Sequence, residues 1–249
     1  MADADRHAPA PPAASDAPGC GMSACATTPE DILAFWFPDG DTPTAQEHQR
    51  LWHWRLHGGA HQEVVARFST LTALAAAGEL DDWAHAPRGR LALILILDAF
   101  VRAIGSGTPR AYAGEDRALD LCLQGLANRH FDALPTVWHK ATFLTPLEQA
   151  EGDDPARHLA NLEAAIILAD RLVGQSPAEL RPWYEMRAGQ LRRHHAVIAR
   201  FGRYPHRNAI LGRASTPQEL AFVASGDLQP TEPAGREHDR LRDRQRSPR

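Results

Sequence analysis

An all-α fold is predicted by three observations: helix punctuation, apolar spacing of three and four, and the absence of any convincing period-two alternation. Four sites place Ser or Thr three residues before an acid: Thr28 to Asp31, Thr44 to Glu47, Ser176 to Glu179 and Thr216 to Glu219. Each hydroxyl can cap the N3 amide while the acid reaches back to the cap's own amide. Pro29, Pro177 and Pro217 follow three of these caps, at the first helical position, where the missing N–H costs nothing.

The elements follow in order. After the entry helix begun at Thr28 and a second begun at Thr44, the run Gln62 to Ala77 carries Val64, Val65, Phe68, Leu71 and Leu74 at helical spacing and stops at Gly78. The stretch Leu91 to Leu97 is continuously apolar, and as a short run it could be a buried strand. Its Ala and Leu content, and its continuation to Ile104, favour a buried helix. Further on, Leu159, Leu162, Ala165, Ile166 and Ala169 repeat at helical spacing, and the run Pro177 to Phe201 stops at Gly202. Roughly nine helices result, packed as antiparallel pairs.

The 249 residues carry 27 Lys+Arg against 31 Asp+Glu, a near-neutral balance that argues against nucleic-acid binding. No apolar run approaches the roughly 20 residues of a bilayer span, and the opening residues lack the apolar core of a secretory signal. Three cysteines cannot build a disulfide framework, so a cytoplasmic location is expected. Composition shifts twice. Residues 1–28 hold four Pro and nine Ala, and residues 229–249 hold ten charged residues. Both read as disordered tails flanking a single helical domain over residues 29–228.

Three stretches carry candidate chemistry. Between residues 200 and 213 stand four arginines, Arg200, Arg203, Arg207 and Arg213, with His206 and Asn208 and no acid. A glycine stop and a proline turn would preorganise these forked donors for a carboxylate or phosphate. The same groups could instead pair with acids on neighbouring helices and cap helix C-termini. Asp98 and Arg102, four apart, can pair along one helix face, and an acid after seven apolar residues needs a partner. Glu148 and Glu151 could share a helix face as acid/base groups, or bind a metal with His194 or His206, or simply be solvated. Cys20 and Cys25 lack matching ligands for zinc, Cys122 reads as core packing, and Trp52, Trp54, Trp83 and Trp138 read as packing residues.

These stretches together resemble the bacterial family catalogued as domain of unknown function 924. The resemblance spans about Asp31 to Leu228. It rests on the entry Ile32-Leu33-Ala34-Phe35-Trp36-Phe37, the link Gly78-Glu79-Leu80-Asp81-Asp82-Trp83, and a C-terminal signature from His194 through Phe201-Gly202-Arg203-Tyr204-Pro205-His206-Arg207-Asn208 to Arg213. It implies an all-helical, tetratricopeptide-repeat-like array and no activity that can be carried over. The chain departs from the family's pattern in the central helix, where Gln, Pro and Asn become Ala99, Val101 and Ala103. It departs again at Ser106, for Arg, and at Gln149-Ala150, for His-Ser. The charged frame of Asp98, Arg102, Glu151, His194, Arg203, His206 and Arg207 persists.

Two functions compete on this reading. One is a binding module in which Asp98, Arg102, Glu151, His194, Arg203, His206, Arg207 and Asn208 line a pocket for a small anion or acidic peptide. The other is an enzyme using His194 or His206 as base near Glu151, metal-assisted or not, or a catalytically degenerate relative of one. A third possibility is that the polar cluster only holds the helices together. No cofactor or resident metal is called for by any motif.

Overall fold

The computed structural model describes residues 27–38, 40, 43–56 and 59–226. The two segments read as tails lie outside the described residues, with Cys20 and Cys25, except that Thr27 and Thr28 lead into the first helix. Among the described residues every regular element is helical: α1 Pro29–Trp36, α2 Ala45–Leu56, α3 His61–Ala77, α4 Pro87–Leu95, α5 Val101–Ile104, α6 Glu115–Ala127, α7 Val137–Phe143, α8 Thr145–Gln149, α9 Pro155–Gln175, α10 Arg181–Phe201 and α11 Pro217–Ser225. A π turn over Ile96–Phe100 joins α4 to α5, and Leu144 alone separates α7 from α8. Joined in this way, the segments make nine rods.

The caps form where the hydroxyl–acid spacing places them, with one exception. Thr28 and Thr216 each make the reciprocal capping box, and Thr44 exchanges the same pair of bonds with Glu47. Ser176 does not start a helix. Its hydroxyl donates to the Val173 carbonyl at the end of α9, residues 177–180 form a turn, and α10 begins at Arg181. The serine serves the helix behind it because that helix has unsatisfied carbonyls to offer. Gly78 and Gly202 stop α3 and α10 in the left-handed conformation, with φ of 89° and 70°.

The run Leu91 to Leu97 is a buried helix, not a strand, and it is the axis of the domain. All seven residues are at most 2% exposed. Around it α1, α3, α6 and α7 contribute Ile32, Phe68, Cys122 and Phe143, all buried in the same core. Because it is enclosed on every side, its apolar pattern has no polar face, and periodicity alone could not classify it. The π turn falls at its end, where the Val101 amide reaches back five residues to the Ile96 carbonyl. That wider turn re-aims the residues that follow, a device common at functional sites.

Gly114 is required where α6 meets this rod. A Cβ at Gly114 would stand 2.1 Å from the Leu97 carbonyl oxygen, so only glycine lets the start of α6 press against the π turn. The α9–α10 hairpin is antiparallel: Pro155 at the start of α9 abuts Gly202 at the end of α10, and Asp170 pairs with Arg192. Among the described residues no helix is long and apolar enough to cross a membrane.

Two substitutions separate these roles. Gly114→Ala is expected to lower unfolding free energy by about 1–3 kcal/mol through overpacking. Gly189→Ala, inside α10 where a Cβ meets nothing within 4 Å, is expected to raise it by about 0.5–1 kcal/mol. Urea denaturation of the two variants reads both effects. A neutral Gly114→Ala would contradict the close approach.

Candidate functional site

The basic turn after Gly202 closes onto buried acids. Arg207 is 2% exposed and gives Nη1 to Glu115 at 2.8 Å, while Nη2 donates to the carbonyl and side-chain oxygens of Gln149 at 3.0 and 3.1 Å. Its guanidinium lies over the rings of Tyr112 and Tyr204, 4.4 and 4.7 Å from their centroids. Arg213 pairs with Glu151, whose second oxygen accepts the Tyr204 amide at 2.8 Å. Arg203 grips Glu219 on α11 with two bonds, at 2.7 and 3.0 Å. Asn208 is fully buried and donates to Ser215, while His206 keeps an exposed edge and lies against Tyr204, with ring centroids 5.5 Å apart.

The chain of charges continues to the π turn. Arg102 pairs with Asp98 within its own rod and with Glu115 at 3.1 Å, so Asp98, Arg102, Glu115, Arg207, Glu151 and Arg213 alternate in sign. Burial raises the Glu115 carboxyl above its usual range despite the two guanidiniums beside it. Arg207 also satisfies the orphan Gln149 carbonyl at the end of α8.

Glu148 is buried and the Glu151 side chain is only 6% exposed, so neither carboxylate is solvated. Glu151 lies beyond the end of α8, so the pair does not share a helix face. Glu148 binds Arg187 through one oxygen and stands 2.9 Å from His194 Nδ1 through the other. Burial would raise this carboxyl, yet Arg187 and His194 hold it well below the usual carboxylate range. Two rings converge on its backbone carbonyl. The Tyr204 hydroxyl donates to the Glu148 carbonyl at 2.6 Å, and His158 Nε2 donates to the same oxygen at 3.0 Å. His194 Nδ1 also lies 3.2 Å from the Tyr204 hydroxyl. Thus His194 is paired with Glu148, not Glu151.

On the other side of Glu148 opens a cavity of about 430 Å³, between α2, α3, the central rod, α7–α8 and α10. Of the eight residues expected from sequence to line a binding pocket, Asp98 and Arg102 border it; Glu151, His194, Arg203, His206, Arg207 and Asn208 do not. The polar pole is formed by Asp98, Arg102, Glu148, Gln149, Arg187 and Gln190. The same space is also lined by Trp36, Trp52, Trp138, Val64, Ile94 and Leu95, together with His48, Arg55 and His61, so two of the tryptophans expected only to pack face open space. Ala99, Ala103, Ser106 and Gln149, four of the positions that depart from the family's pattern, also border it, whereas Val101 and Ala150 do not.

Arg187, Gln190 and Trp36 went unnoticed in the sequence because nothing local distinguishes them. Their common surface exists only once α1 and α10 are brought against the rod. Among the described residues no group of three His, Cys, Asp or Glu is placed to hold a metal ion.

Residues 32–227 match a family of bacterial proteins of unknown function, DUF924. The chain belongs to that family. DUF924 thus extends from the first turn of α1 to just past α11, the whole of the described core. A solved structure of a protein of unknown function from Agrobacterium tumefaciens is 27% identical, covers 80% of this chain and 97% of its own, and superimposes with a TM-score of 0.59. No curated protein matches the chain.

Two measurements separate scaffold from surface. Arg207→Ala removes the central buried cation, leaving Glu115 to Arg102 alone and Glu151 to Arg213, and is expected to lower stability by about 3–5 kcal/mol, whereas Arg192→Ala, on a half-exposed pair, is expected to change it by less than about 1 kcal/mol. Glu219, held by Arg203, titrates at about 2 against an ordinary 4.5. Its contribution is therefore complete above pH 4.5 and is lost as the pH falls toward 2. Between pH 5 and 3 the wild-type chain should lose more stability than Arg203→Gln, followed by chemical denaturation at each pH.

Proposed function

We propose that this protein binds a small amphipathic carboxylate in the cavity bounded by Arg187 and the tryptophans. What supports this reading is one combination within a single open space: aromatic and aliphatic side chains together with the guanidiniums of Arg102 and Arg187. A volume of about 430 Å³ lies within the range of small-molecule sites, roughly 300–1,000 Å³. Of the five N–H donors of Arg187, one is engaged by a described partner, Glu148. The remainder suit a planar anion. Ala99 and Ala103 keep the floor of the space open.

The ligand pole therefore differs from the arginine and histidine turn expected from the sequence. Arg203, Arg207 and Arg213 are engaged with Glu219, Glu115 and Glu151. Catalysis by His194 or His206 with Glu151 draws no support from this geometry, since neither imidazole borders the cavity and both oxygens of Glu151 are engaged.

Trp36, Trp52 and Trp138 provide the readout. Titration with 3-phenylpropionate and 4-phenylbutyrate should change tryptophan fluorescence saturably, with Kd near or below about 1 mM. At 100-fold excess over Kd, either should stabilise the fold by about 2.7 kcal/mol. Ala103→Phe, which fills the floor, should abolish the response while the chain still unfolds cooperatively. Absence of any saturable response, or one indifferent to Ala103→Phe, would exclude ligand binding at this place.

A further inference from the structure

The polar pole holds an acceptor beside its donors. Asp98 commits Oδ1 to Arg102. Its Oδ2 has no hydrogen-bond partner among the described residues and is not among the oxygens sealed from open space. Arg187, across the same pole, has donors to spare. The two charges sense each other, for Asp98 is one of the acids that strengthen the hold of Arg187 on its proton. Gln190, with both an amide donor and an acceptor, borders the same space.

A lone carboxylate entering this pole gains Arg187 but meets the Asp98 charge in a partly dry cavity, where like charges repel strongly. A lone amine gains Asp98 and is repelled by Arg187 and Arg102. A head group carrying an ammonium and a carboxylate on one carbon satisfies both walls and leaves neither of them uncompensated. The space beyond the pole is aromatic and far larger than such a head, so the ligand must also carry a bulky apolar body.

We infer that the cavity takes a free α-amino acid with an aromatic or large apolar side chain, its carboxylate on Arg187 and its ammonium on Asp98. This rests on the carboxylate reading above and narrows it to a zwitterion. The side chain lies among Trp36, Trp52 and Trp138, where aromatic faces add edge or offset contacts to simple burial. Asp98 is then a specificity residue, holding the feature that distinguishes an amino acid from the corresponding acid. Asp98 stands within the π turn, where it borders the cavity and pairs with Arg102 four residues on.

Calorimetric titration of the full chain tests this with matched compounds: L-phenylalanine and L-tryptophan, each against its deaminated acid and its decarboxylated amine. Each amino acid is expected to bind at least about tenfold more tightly than either analogue, a difference of about 1.4 kcal/mol. In Asp98→Asn the preference over the deaminated acid should vanish, and in Arg187→Gln the preference over the amine. The wild-type comparison decides the matter even where a variant fails to fold. Deaminated acids binding as tightly as the amino acids would overturn the zwitterion and leave the carboxylate reading standing. Binding of the amines alone, or of no compound in the set, would overturn both.

Discussion

Arg207 and the two carboxylates beneath it, Glu115 and Glu151, are the constraint on which the rest of the structure depends. A guanidinium removed from water must find its counter-charges at short range, and those charges come from the start of α6 and the segment after α8. The demand is mutual, because Arg207 is the one cation shared by both acids, with Arg102 completing Glu115 and Arg213 completing Glu151. One contact therefore fixes three pieces of chain that are far apart in sequence. The Tyr112 and Tyr204 rings enclose it and exclude solvent, which strengthens the attraction.

Glu148 extends the same logic to the cavity. Its carboxyl is held by α10 through Arg187 and His194, and its carbonyl by Tyr204 and His158. α8 is only five residues long, too short to be stable by itself. It is instead suspended between the charge network on one side and the open space on the other. The cavity and the scaffold thus share residues: Arg102 and Glu148 border the open space while also completing the ion-pair network. A ligand at that pole would feel charges already held in place, so little reorganisation would accompany binding.

Much of the fold was legible along the chain. Thr28, Thr44, Thr216, Gly78 and Gly202 act within one helical turn of themselves, and their chemistry needs no distant partner. Ser176 misled because the same hydroxyl can serve the helix before it or the one after it. Asp98 and Arg102 were also readable, since a pair four apart meets on any helix. Glu148 and Glu151 were not, for a local pattern cannot say whether an acid will meet water or an arginine 39 or 62 positions away.

The sequence by itself determined the helical class, most of the boundaries, and the existence of a concentrated basic turn that had to meet acids somewhere. Only the tertiary structure decided which acids they were. It turned Arg203, Arg207 and Arg213 inward onto Glu219, Glu115 and Glu151, and left Asp98 and Arg187 facing an aromatic space. The physical reason is range. Capping, glycine stops and i,i+4 pairing are settled within a few residues, whereas a buried charge is neutralised by whichever partner the packing of distant helices brings within reach.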